Sequence, residues 1–173
     1  MALHMTIFPA LRTARLTLRR LQVEDVPSLV KYANNRSISD HILNIPYPYG
    51  EPDGVFRISY VLQGFKSGQR YVFAIIMNER DELIGEASLH LHGSHGAGEL
   101  GYWVAEPFWG QGIGTEAVAA VLAFGFTELG LEMIYATCHV DNAGSEKLLL
   151  KNGMVKSGQS GNVMEYRMKA AER

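Results

Sequence analysis

The stretch "FWGQGIGTEA", Phe108 to Ala117, sets glycines at 110, 112 and 114 and then turns into good helix formers. Glycines so spaced leave a run of backbone N–H groups that no side chain shields. They lead into a helix whose first-turn N–H groups have no partner within it. Amides and helix dipole then point the same way, which suits an anion, a phosphate or pyrophosphate above all. Three uses of such a segment compete. "GIGTEA" fits the dinucleotide pattern G-x-G-x-x-A, with Asp141 about one strand–helix–strand unit downstream. In that pattern the glycines abut a strand, whereas "EPFWGQ" intervenes here with a proline and two aromatics. A glycine turn with a structural purpose alone is the second use. A phosphate cradle of another kind is the third, and it agrees best with the rest of the chain.

Other side chains could move protons. Glu99 opens the strand "ELGYWVA" and is the preferred general base, against the alternative of a solvated carboxylate at a strand end. Glu86 interrupts an otherwise apolar strand and is a weaker candidate. His90, His92 and His95 form "HLHGSH", and the two-residue spacing puts the first two on one strand face. No carboxylate or cysteine pattern accompanies them, so a wet strand face is expected and no metal. Cys138 stands beside His139, but adjacent strand residues point to opposite faces and cannot form a nucleophilic dyad. Cys138 reads as a buried small residue.

The elements that must carry these groups are legible from periodicity and punctuation. "RLTLRRL" (Arg15 to Leu21) alternates as a strand, and "EDVPSLVKYAN" follows as a helix with acids and a proline in its first turn. "NIPYPYGEPDG" has three prolines and two glycines in eleven residues and reads as a loop. A second helix then presents Val55, Ile58, Leu62 and Phe65 as one apolar stripe. Three strands come next, "YVFAIIM" (Tyr71 to Met77), "LIGEASLHLH" (Leu83 to His92) and "ELGYWVA" (Glu99 to Ala105). Their connections are short, which implies an antiparallel meander. Beyond the glycines lies a helix burying Ala117, Val118, Val121, Leu122 and Phe126. The strand "MIYATCHV" follows, then the short helix "AGSEKLLLKNG" closed by Gly153, then a hairpin from "MVKSG" and "NVMEYRMK". The fold class is α+β, a mixed sheet with one strand–helix–strand crossover near its centre.

Composition bounds the rest. The chain has 173 residues, 47% apolar and 20% charged, as one soluble globular domain should. The opening "MALHM" reads as a leader with the natural start at Met5, giving a single domain over 5–173. No secretory pattern and no membrane-spanning run are visible. A net charge of −2 argues against nucleic acid as a partner. The lone Cys138 suits a reducing, cytoplasmic compartment.

Five ordered motifs together resemble the GCN5-related N-acetyltransferases, in particular the subgroup of ribosomal-protein N-terminal acetyltransferases. They are "RLTLR" at Arg15 to Arg19, "YPY" at Tyr47 to Tyr49, Gly101-Tyr102-Trp103, Pro107 to Gly112 followed by Thr115-Glu116-Ala117, and the series Asn142, Ser145, Leu149, Lys151, Gly153. The resemblance runs from about Leu11 to Met168; Met154 stands where many relatives have phenylalanine. The superfamily's pyrophosphate pattern Q/R-x-x-G-x-G/A is met only in a shifted way by Gln111 to Gly114.

The resemblance implies a mixed, mostly antiparallel sheet with helices on both faces and a splayed strand pair holding acetyl-CoA. The third strand of the meander would splay from the next at a bulge. The coenzyme's pantetheine arm would lie along the free backbone of Trp103 and Val104 like an added strand. Its pyrophosphate would sit on the amides of Gln111, Gly112, Gly114 and Thr115, and Asn142 would hydrogen-bond the arm. Ser145 occupies the position of the subgroup's proposed acid, although a serine in a first helical turn also serves as an N-terminal hydrogen-bonding residue. Tyr47, Tyr49 and Trp109 either line the acceptor pocket or only pack the loop. The implied activity is transfer of an acetyl group to a primary amine, on a protein N-terminus or a small molecule, by a monomer or homodimer. A non-catalytic acyl-CoA-binding regulatory domain would keep Gly112, Gly114 and Asn142 but not need Ser145 or Glu99.

Overall fold

The computed structural model describes residues 5–42, 44–93 and 96–172. Its strands form one sheet in the order β1-β2-β3-β4-β5-β6-β8-β7. They are β1 (Leu11–Arg12), β2 (Leu16–Arg20), β3 (Arg70–Met77), β4 (Glu82–Leu91), β5 (Ala97–Val104), β6 (Met133–His139), β7 (Val155–Ser160) and β8 (Val163–Lys169). The α-helices are α1 (Val26–Ala33), α2 (Arg36–Ser39), α3 (Glu51–Lys66), α4 (Ile113–Thr127) and α5 (Ala143–Lys151). Neighbouring strands are antiparallel except β5 and β6, which the crossover through α4 makes parallel. This is the expected mixed sheet with its antiparallel meander.

Both faces are covered, which is why β3 reads as a nearly unbroken apolar run. Tyr71 and Phe73 point to the α4 side, where each meets the Phe124 ring edge-on at 5.3 and 5.4 Å. The other face receives α1 and α3. Helix α3 begins at Glu51 rather than after Gly54, because Pro52 falls in its first turn, where a missing N–H is no loss. Its buried side also differs from the expected stripe: Gly54, Ile58, Val61 and Gly64 are buried, while Val55 is 50% exposed. Leu62 and Phe65 are half-buried. The two glycines explain the shift. A Cβ at Gly54 would stand 3.0 Å from Val26 of α1, and one at Gly64 would stand 2.9 Å from Arg70 of β3. An apolar count over side chains does not register a face that is buried because its side chains are missing.

The sheet divides at its middle. β5 pairs with β6 only over Ala97–Glu99 and Met133–Tyr135, although both strands continue for several residues. The expected bulge in β5 is absent; its register with β4 runs unbroken from Gly98–Leu91 to Val104–Gly85. The register slip lies one strand away, where Ile84 of β4 has no partner between Gly85–Ile75 and Leu83–Ile76. β6 stays paired with β8 along its whole length and departs from β5 in its company. The result is a fork open toward the C-terminal end of β5.

Candidate active site

Backbone groups on the β5 side of the fork are set by strand parity. The Gly101 carbonyl accepts from Ser88 Oγ at 3.4 Å, and Ala105 N–H donates to the Ile84 carbonyl at 2.8 Å. A Cβ on Gly85 would lie 2.2 Å from the Trp103 carbonyl, so that oxygen also faces β4. Alternation then turns the backbone groups of Tyr102 and Val104 into the gap. There the Trp109 indole Nε1 donates to the Val104 carbonyl at 2.6 Å. Of the expected pair Trp103 and Val104, Val104 faces the fork, and Tyr102 takes the place of Trp103. Parity of this kind cannot be read until register is known.

The glycine segment meets the open end of the fork. Gly112 is the N-cap of α4 with φ 75°, and Gly110 has φ 73°, both in the left-handed region that favours glycine. The amides of Gly114 and Thr115 lie in the first helical turn, ahead of Glu116, whose N–H donates to the Gly112 carbonyl at 3.0 Å. Nothing lies within 4 Å of a Cβ built on Gly110, and only Arg15 Nη2, at 3.4 Å, approaches one on Gly112. Exposed backbone at a helix start with that much room fits a diphosphate. The loop is braced from behind. Arg15 Nε donates to Glu116 Oε2 at 2.7 Å, its Nη1 donates to the Gln111 carbonyl at 2.8 Å, and Thr13 Oγ1 donates to Glu116 Oε1 at 2.6 Å. Sequence reasoning missed this brace, because about 100 residues separate its members and only the fold joins them.

Asn142 and Ser145 open α5. Asn142 Oδ1 accepts the Ser145 N–H at 3.1 Å, so the cap of α5 is Asn142 and the Ser145 hydroxyl is not spent on it. The Tyr102 hydroxyl is buried here without a hydrogen bond of good geometry. Burial pushes this phenol up to about 12, although the Ser145 side chain beside it favours the ionised form. Cys138 is half-buried rather than buried, and burial raises its thiol above the usual range. His139 points elsewhere, its Nδ1 3.5 Å from Asp141.

On the opposite face, Glu99 sits at the root of the fork with Oε2 3.2 Å from His92 Nε2. His90 is its direct cross-strand partner and is 3.1 Å from Ser88 Oγ. Burial, first among several influences, holds this imidazole below its usual range. Glu86 is 2% exposed and paired with Arg57 of α3. Next to this pair a pocket of about 440 Å³ is lined by Ile45, Tyr49, Asp53, Phe56, Arg57 and Tyr60, among others. Tyr49 is thus the one of the three expected aromatics that lines it; Tyr47 is half exposed and Trp109 closes on Val104. His95 lies outside the described residues. Among the described residues no three His, Cys, Asp or Glu side chains gather as a metal set, and no helix is long and apolar enough to cross a membrane.

A family profile described as an acetyltransferase (GNAT) domain matches residues 15–155. The chain belongs to the GNAT acetyltransferases. An uncharacterized N-acetyltransferase of Bacillus licheniformis, p20, is 32% identical over 150 residues, 86% of this chain and 83% of that protein. The ribosomal-protein-serine acetyltransferase of Escherichia coli is 32% identical over 89 residues, about half of each chain (51% and 50%). Among solved structures, Mycobacterium smegmatis RimJ in complex with CoA-disulfide superimposes with a TM-score of 0.82 at 22% identity, over 95% of this chain and 87% of its own. As a GNAT acetyltransferase the chain is an enzyme, and its α+β sheet is the GNAT fold.

Proposed function

We propose that this GNAT enzyme transfers the acetyl group of acetyl-CoA to a primary amine by direct attack in a ternary complex. The observation that carries the reading is the fork itself, open at the end where α4 offers the bare amides of its glycine start. The pantetheine arm would follow the gap-facing backbone of Tyr102 and Val104, with Asn142 across from it. The pyrophosphate would rest on the amides of Gln111, Gly112, Gly114 and Thr115. Trp103 would contribute its side chain, buried opposite Glu86 on the acceptor face, rather than its backbone.

Acetyl-CoA supplies an activated thioester; the chain supplies proton handling and orientation. Glu99 at the fork root takes a proton from the incoming ammonium or amine, directly or through one water. Ser145 offers its hydroxyl to the departing sulfur. The Tyr49–Phe56–Tyr60 wall holds the body of the acceptor. An N-terminal peptide is the favoured acceptor, in keeping with the E. coli ribosomal-protein-serine acetyltransferase among the relatives.

Calorimetric titration with acetyl-CoA, followed by thiol release with a panel of peptides and small amines, tests the proposal. Binding with amine-dependent release of CoA is expected. Binding without turnover on any amine would favour the regulatory alternative, and absence of binding would overturn the coenzyme assignment.

A further inference from the structure

Tyr102 carries a hydroxyl that is fully buried and has no hydrogen bond of good geometry, although the residue lies in the fork. Buried polar groups in folded proteins are nearly always paired, so this one calls for an explanation. Its location supplies one. A Cβ at Gly114 would touch Leu148 Cδ1 at 2.8 Å and Val104 Cγ2 at 3.5 Å, so Val104 of β5 and Leu148 of α5 converge on one point of α4. Two residues back along β5, on the same strand face, stands Tyr102. Three residues back along α5, on the same helix face, stands Ser145. Tyr102 and Ser145 thus flank the same part of the fork, and the Ser145 side chain stands beside the Tyr102 hydroxyl. The Ser145 backbone N–H is already held by Asn142.

A serine hydroxyl has one proton and two lone pairs. A donor aimed at a lone pair leaves that proton to point in another direction. A phenol shifted upward by burial keeps its proton at neutral pH and can only be such a donor or accept in turn. We propose that Tyr102 is a positioning residue: its hydroxyl donates to Ser145 Oγ and commits the serine's single proton to the sulfur of a coenzyme in the fork. The inference rests on the acetyl-CoA reading above. Tyr102 acts through Ser145 and takes no proton from the reaction.

The test compares binding of CoA with binding of desulfo-CoA, which lacks the thiol, to the wild type, Tyr102→Phe, Ser145→Ala and the double variant. Calorimetry needs no acceptor for this comparison. The wild type is expected to prefer CoA, and each single variant to lose that preference by a similar factor, roughly 2- to 10-fold as for one neutral hydrogen bond. The double variant is expected to lose no more than Ser145→Ala alone. In turnover, Tyr102→Phe lowers kcat at unchanged KM for acetyl-CoA, again without adding to Ser145→Ala. Tyr102→Phe removes one hydroxyl and opens no cavity, so the melting temperature is expected to change little, which separates this loss from misfolding. A wild-type preference retained by Tyr102→Phe, or losses that add in the double variant, would overturn the inference while leaving the acetyltransferase reading intact. A wild type that binds neither compound would sink both.

Discussion

The Arg57 guanidinium meets the Glu86 carboxylate twice, Nη2 on Oε2 at 2.5 Å and Nε on Oε1 at 3.3 Å, joining α3 to β4 beneath the aromatic pocket. Burial alone would lower the Arg57 value, but the charge and hydrogen bonds of Glu86 outweigh it and raise it. Removing one partner leaves the other charged and desolvated. Glu86→Ala or Arg57→Ala is therefore expected to cost about 3–5 kcal/mol in urea unfolding, whereas a matched apolar double replacement costs far less. A loss below about 1 kcal/mol for Glu86→Ala would show that water reaches the pair.

Two glycines separate lack of space from strain. Gly85→Ala would place a methyl group 2.2 Å from the Trp103 carbonyl, a backbone atom that cannot rotate aside. Stability is expected to fall by roughly 1–3 kcal/mol or more as β5 is displaced from β4, with weaker coenzyme binding. Gly110→Ala has open space but a φ of 73°, and is expected to cost about 1–2 kcal/mol. Denaturant curves for the two variants check the order.

Glu116 gives an acid-limb test. Burial would raise its carboxyl, but Thr13 and Arg15 donate to it and hold it below its ordinary 4.5. A folded-state value below the unfolded one contributes stability that is whole above that ordinary value and is lost as pH falls through the folded value. Wild type and Glu116→Gln are expected to differ most in melting temperature above the ordinary carboxylate range and to converge as pH falls through the lowered folded value. Parallel curves across that range would mean the brace does not depend on the charge of Glu116.

For catalysis, Glu99→Gln is expected to slow acetyl transfer by roughly 10²-fold with acetyl-CoA affinity unchanged. Steady-state kinetics beside a binding titration check it. A reduction of less than about threefold would move the proton-taking role away from Glu99, toward its cross-strand partner His90.

Local pattern was legible in the sequence wherever side chains themselves made it. The alternation and apolar runs of β3 to β5, the face of α4 through Val118 and Val121, and the Gly153 closure of α5 all appear as expected. What escaped was decided by backbone or by distance in sequence. The buried face of α3 rests on Gly54 and Gly64, which apolar periodicity passes over. The exchange of Tyr102 for Trp103 rests on hydrogen-bond parity. The pairings of Arg15 with Glu116 and Arg57 with Glu86 join residues that no local window contains.

The aromatic pocket is drawn from residues 44–60, whereas the bare amides belong to residues 110–115 at the start of α4, the helix on the other face of the sheet. In the proposed reading these are two separately heritable parts. Substitutions along α3 and the loop before it would change which amines are admitted while the grip on the acyl donor stays as it is. On that plan the acceptor could be exchanged by redrawing one wall of the pocket, with the chemistry left as it is.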